Sequence, residues 1–364
     1  MLATKLYLFL FIICIISFTI YSYALIDPNL TLVNHPLWVM FRDPLVYFGY
    51  HQRQSSTIVY ILFLILLFLF HWYFTHNYKR FWLWKTIGVI SIFSIFSYPF
   101  LSHDLFNYIF DAKILTFYGK NPYELTPGFF YHDEWLRFMH WTDRSYPYGP
   151  IFLPLTLIPS FLGAGKLILN FIFFKLLNVI FYILAVFFLN KLSKKSAVFF
   201  ATNPLVIIEG LMNAHNDLIA VSLGIVGIYY LQNKTNLIAR ILLLASAGIK
   251  YLSFPIVFIQ KNSNSKKNYF LLFLQITIFL YLFFNGTAQP WYFLSLLLFL
   301  PIYPKIVMHL NIFFLCLLLS YYPYIRFGNW DQIWIKEYFI GAGIVLNLIY
   351  LAASEKKILS YFKK

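Results

Sequence analysis

His103, Asp104 and Asp111 stand in the stretch SHDLFNYIFDAK, residues 102 to 113, where a run of Ile, Phe, Leu and Tyr ends. Carboxylates at such a boundary can take a proton from a hydroxyl nucleophile, and an ionisable group beside a membrane is a functional candidate by default. On a helix, Asp104 and Asp111 share one face about 10 Å apart, with Tyr108 between them. The same residues also have a plain role, because Ser102 and Asp104 suit the start of an interfacial helix, near its positive end. Locally, capping and catalysis stay open; capping accounts for Asp104 better than for Asp111.

A second constellation, NPLVIIEGLMNAHNDLIAVSLG at 203 to 224, sets Glu209, Asn213, His215, Asn216 and Asp217 between two apolar runs. Asn216 and Asp217 are natural helix caps, a role that leaves Glu209 and His215 unexplained. With no HExxH and no cysteine pair, zinc is a poor reading. A third stretch, AGIKYLSFP, surrounds Lys250 with apolar residues, where a snorkelling lysine is the plain alternative. A fourth, NGTAQPWYF, is a tight turn carrying Gln289 and Trp291. Between the first and second lies a loop rich in Trp135, Trp141, Tyr146 and Tyr148. Its rings suit an interfacial belt or, beside Asp133, Glu134 and Arg137, a platform for a sugar.

The elements that must position these groups follow from composition. Of 364 residues 61% are hydrophobic and 11% charged, and apolar runs of spanning length recur throughout, so the chain is a polytopic membrane protein and all-α. The expectation is one transmembrane domain over 1–364 with about 11 to 13 helices, some short, broken or re-entrant. The net charge of +15 sits in short clusters between apolar runs, at Lys79-Arg80, Lys191 with Lys194-Lys195, Lys234, Lys261 with Lys266-Lys267, Lys305, Lys356-Lys357 and Lys363-Lys364. This is the positive-inside pattern and excludes nucleic acid as the partner. Placing the clusters in the cytoplasm leaves loops 27–56, 102–147 and 286–290 outside. Cys14 and Cys316 lie in apolar runs and imply neither disulfide nor metal. The first apolar run reads as an uncleaved helix.

Charge placement also requires 150–162, only about 20 Å of helix, to cross halfway. The run 237–259, with Lys250 and Pro255, is expected to break around Lys250, as helices at membrane-depth sites do. With both breaks, Asp104, His215, Lys250 and the Gln289-Pro290-Trp291 turn converge on the outer side.

Taken in order, HDLFNYIFDAK, GKNPY, YPYGP, GKL, NP…E…NAHNDL, GIKYLSFP and QPWYF resemble the GT-C superfamily of membrane glycosyltransferases, specifically the polyprenyl-phosphate-mannose-dependent α-mannosyltransferases. The resemblance covers about residues 86 to 305. The acids of this chain follow the third span, whereas the family pattern has paired acids near its first outer loop. The resemblance implies a multi-pass enzyme of the cell membrane, with 102–147 as its extracytoplasmic catalytic loop. It implies transfer of a hexose, mannose above all, from a polyprenyl-phosphate donor to a glycan or glycolipid hydroxyl, with inversion. Asp104 is then the expected base; His103, Asp111, Tyr148, Glu209, His215, Asn216, Asp217, Lys250, Gln289 and Trp291 are the expected substrate-binding residues. Mg²⁺ or Mn²⁺ is the cofactor left open. Two alternatives are a transporter or flippase of lipid-linked saccharides, which also uses broken helices, and an oligosaccharide polymerase or ligase.

Overall fold

Runs of Leu, Ile and Phe fold as helices in a bilayer because no water is present to satisfy an open backbone. The computed structural model describes residues 2–30, 32–233 and 236–353; the basic positions Lys234, Lys356, Lys357, Lys363 and Lys364 lie outside the described residues. Among the described residues every element is helical. In chain order they are α1 (Leu2–Tyr21), α2 (Pro36–His51), α3 (Arg53–His76), α4 (Leu83–Phe96), α5 (Asp104–Thr116), α6 (Phe152–Leu162), α7 (Leu167–Leu192) and α8 (Lys194–Thr202). There follow α9 (Asp217–Asn233), α10 (Asn236–Ile249), α11 (Lys266–Phe284), α12 (Pro304–Met308), α13 (Asn311–Leu319), α14 (Tyr322–Phe327) and α15 (Ile333–Ala353).

Five described helices are long and apolar enough to span: α1, α3, α7, α11 and α15. The expectation of about 11 to 13 transmembrane helices counts further apolar segments that are shorter here, at Leu83–Phe96, Phe152–Leu162, Asp217–Asn233, Asn236–Ile249, Pro290–Phe299 and Asn311–Phe327, and of these only the breaks at 150–162 and 237–259 were expected. Residues 150–162 hold only α6, with 11 residues. The run 237–259 breaks where Lys250 stands in extended conformation (φ −134°, ψ 114°) between α10 and a 3₁₀ helix, Tyr251–Phe258, that contains Pro255. One helix was not expected at all: α2 lies inside the loop 27–56 and leaves Leu37, Met40 and Tyr47 exposed.

The core element is α7, which packs against α4, α5, α6, α8 and α9. After α8 the chain bends by 65° into a π-helix, Val206–Met212. Pro204 causes the bend: the residue before a proline is driven out of the helical region, and Asn203 is accordingly extended (φ −64°, ψ 123°). Asn203 Oδ1 then accepts from the Leu205 N–H at 2.9 Å and starts the next segment.

Candidate active site

Asp104 opens α5. The cap position is taken by His103, whose side chain makes no capping bond, and the Asp104 N–H itself donates to Ser102 Oγ at 3.2 Å. The carboxylate is therefore not a cap. It faces His215, with Oδ2 3.5 Å from Nδ1. Burial by itself would raise this carboxyl, but the neighbouring His215, Lys250 and Arg144 outweigh it and hold Asp104 below the usual carboxylate range.

His215 is fully buried and has its other nitrogen, Nε2, 3.4 Å from Glu209 Oε2. Each ring nitrogen thus faces a carboxylate, an acceptor only, so a ring protonated on both nitrogens satisfies both sides. The ring is stacked on Trp291, with centroids 4.1 Å apart and planes 10° from parallel. Two local features put the imidazole there. Glu209 belongs to the π-helix, an element common at functional sites. Ala214, directly before His215, takes φ +58°, a costly conformation for a residue with a Cβ.

Around this centre the supports are explicit. Asn213 Nδ2 donates to Glu209 Oε2 at 3.1 Å while its Oδ1 accepts from the Leu101 N–H at 3.2 Å, tying the π-helix to the segment before α5. Asn216 Oδ1 accepts from the Tyr108 hydroxyl at 3.4 Å. Asp217 is buried and paired with Lys250 at 2.9 Å, and that ammonium lies 4.8 Å above the centre of the Tyr292 ring. Asp104, Glu209, His215, Asp217, Lys250 and Trp291 therefore come together from four separate stretches of chain.

The remaining expected residues are placed less centrally. Asp111 shares the face of α5 with Asp104 and is buried; burial pushes its carboxyl up to about 8, with Arg144 drawing it down and Asp104 adding to the rise. Tyr148 packs edge-on against Tyr108, centroids 5.0 Å apart, and its buried hydroxyl has no protein partner among the described residues. The His103 ring stands beside His140, 6.3 Å away, rather than in the ion cluster. Gln289 accepts at Oε1 from Lys336 at 2.9 Å. In the loop between α5 and α6, Asp133 is occupied by Lys113, the Tyr118 hydroxyl at 2.7 Å and the Trp135 N–H at 2.9 Å. It is a brace and not a free group for a sugar. A cleft of about 940 Å³ opens beside it, lined by Tyr131, Glu134, Trp135, Arg137 and Thr142 among others.

Lys175 is the residue that the sequence reading missed. It lies in α7, fully buried, and donates to Ser97 Oγ at 3.0 Å and to the carbonyls of Leu211, at 2.8 Å, and Met212. Those carbonyls end the π-helix, where the helix dipole is negative, so the ammonium holds the turn that carries Asn213 to Asp217. The signal was a lone lysine inside the apolar run LNFIFFKLLNVI.

The described residues contain no group of three or more His, Cys, Asp or Glu arranged to hold a metal ion. Asp104 and Asp217 already face His215 and Lys250, and Asp111 lies two turns from Asp104. The described residues therefore offer no closed protein cage for a cation; a Mg²⁺ or Mn²⁺ held by one carboxylate together with a substrate phosphate would not need one.

Comparisons of the chain with curated proteins and with solved structures found no match. A family model does match: α-(1→6)-mannopyranosyltransferase, N-terminal domain, over residues 16–260, which include α5, the π-helix, the NAHND turn and Lys250. The matched segment is more than half of the sequence, and with the all-helical, membrane-type architecture it shows that the chain belongs to this GT-C-type family of mannosyltransferases.

Proposed function

We propose that the protein transfers mannose from a polyprenyl-phosphate-mannose donor to a hydroxyl of a glycan or glycolipid on the extracytoplasmic face, forming an α-(1→6) bond with inversion at the anomeric carbon. The observation that carries this reading is the Asp104 carboxylate, partly open to solvent and facing the buried His215 at 3.5 Å, with Lys250 among the cations that hold it below the usual carboxylate range. An acceptor hydroxyl is a weak nucleophile, and Asp104 takes its proton as the new bond to the anomeric carbon forms. The bond from that carbon to the donor phosphate breaks, and the departing phosphate keeps its electron pair. Such a leaving group needs compensating charge rather than a proton, which Lys250 supplies from a buried, pre-set position. Glu209 and Asp217 hold His215 and Lys250 in place. The acceptor glycan enters over the outer loop, where the cleft beside Trp135, Glu134 and Arg137 offers rings and polar groups for sugar.

A transporter reading requires two alternately open states, commonly built from repeats, and the sequence shows no repeat. The deciding experiment incubates the purified protein with labelled polyprenyl-phosphate-mannose and a short mannoside acceptor. Transfer of label to the acceptor, with release of polyprenyl phosphate, is expected; label that crosses the membrane still attached to lipid would replace this reading with transport.

A further inference from the structure

Lys336 lies near the start of α15, outside the segment that the family model covers. It is 4% exposed, and the partner its ammonium has is a neutral one, Gln289 Oε1 at 2.9 Å. Among the described residues no carboxylate lies within ion-pair distance of it. Glu337, the next residue, turns its Oε1 toward Gly286 instead, and Asp331 is exposed. A buried ammonium has three donors and normally finds an opposite charge, since an isolated one is expensive.

Three features make this an anion site rather than an accident of packing. Helical side chains lean back toward the N-terminus, so the Lys336 ammonium covers the first turn of a 21-residue helix, where the dipole is positive and no acidic residue stands. Lysine there is unfavourable for the helix itself and adds its charge to the attraction for a negative group. Gln289 precedes by two residues the Trp291 ring that stacks on His215, and Lys250 lies over Tyr292 in the same turn. Two lysines from distant elements therefore approach one four-residue turn. Lys336 also lies 5.7 Å from the Trp330 ring, which packs on Tyr321 at 5.9 Å.

We propose that Lys336 anchors the phosphate of the lipid-linked donor, completing from α15 a binding surface whose other cation is Lys250. The proposal rests on the donor reading above and adds to it that the C-terminal region, beyond the matched segment, supplies part of the donor site. A bilayer phospholipid offers the same phosphate chemistry, and the test separates the two sources.

The full-length protein in phosphatidylcholine nanodiscs is titrated with labelled polyprenyl phosphate carrying no sugar, so that binding is read without transfer. Lys336→Met and Lys336→Gln should raise Kd by about 10- to 100-fold, the worth of one charge-assisted hydrogen bond. Lys336→Arg should stay within about threefold, because it keeps the charge and hydrogen-bond donors. Binding of neutral polyprenol should be equal in all four proteins. Unchanged Kd in a monodisperse Met or Gln variant overturns the proposal, and so does loss of monodispersity in both, which marks Lys336 as structural. If phosphatidylglycerol in the nanodisc competes with polyprenyl phosphate in the wild type alone, the anion is a bilayer headgroup and the donor assignment falls. Wild-type protein that binds no polyprenyl phosphate removes the donor reading itself, whereas normal wild-type binding with an indifferent Lys336 removes only this inference.

Discussion

Asp133 and Asp104 are both aspartates facing a protein cation, yet their surroundings differ. Asp133 has every approach filled by Lys113, the Tyr118 hydroxyl and the Trp135 N–H. These contacts outweigh burial and hold its carboxyl below the ordinary range. Asp104 has one partner, a histidine at ion-pair rather than hydrogen-bond distance, and is slightly open to solvent. A saturated carboxylate fixes a loop; an unsaturated one is left with capacity for a substrate. The same distinction separates Lys175, which has three acceptors, from Lys250, which has one carboxylate and a ring face.

The sharpest test of the contrast is Asp104→Asn. It keeps the shape of the side chain but removes the base, and transfer should fall by roughly 10²- to 10⁴-fold in a folded protein. Wild-type rates in this variant would make Asp104 no different from Asp133. Next comes Lys250→Met, with a loss of about 10²-fold in kcat/KM, measured on the lipid-phosphate donor, because it withdraws charge from the departing phosphate. Normal activity there would reduce Lys250 to a snorkelling residue.

Asp111 tests the contrast through pH. Burial lifts its carboxyl to about 8 in the folded state, above the ordinary carboxylate range, so the folded state holds the proton more tightly than the unfolded chain over that interval. Stability contributed by the protonated form is therefore present at low pH and is lost as pH rises toward about 8. Asp111→Asn should flatten this decline: its melting temperature relative to wild type is expected to be higher at pH 8.5 than at pH 5. A difference that does not change with pH would mean that Asp111 is ionised throughout. The smallest effect on the chemical step is expected from Asp133→Asn, which should lower the melting temperature and raise KM for the acceptor while leaving kcat within about threefold, since Asp133 braces the cleft beside Trp135 and touches none of the ion cluster. A loss of transfer comparable to that of Asp104→Asn would erase the distinction.

Local chemistry explains what could be read in advance. The two-turn spacing of Asp104 and Asp111 is set by one helix, so it was legible in twelve residues. The break at Lys250 was legible because a charge and a proline inside an apolar run oppose a continuous crossing. Apolar periodicity says little in a bilayer, where lipid-facing and buried residues are equally oily. That is why α2 went unseen and why Lys175 passed as one lysine in a long span. Its role depends on carbonyls from residues 211 and 212, and a contact of that range leaves no mark on neighbouring sequence. The surroundings of Asp133 were illegible for the same reason: its contacts come partly from Lys113, on a different element.

The glycine of YPYGP and the one before Ile249 and Lys250 meet backbone to backbone. A Cβ on Gly149 would stand 2.1 Å from the Gly248 carbonyl oxygen, and the Ile151 N–H donates to that same oxygen at 3.1 Å. The contact works as a rivet between the aromatic loop and the helix break. With no side chain between them, the residue after Tyr148 sits directly on the main chain two residues ahead of Lys250. A methyl group at either glycine would have to push the aromatic loop and the helix break apart, since a Cβ on Gly248 would in turn stand 2.6 Å from the Ile151 side chain.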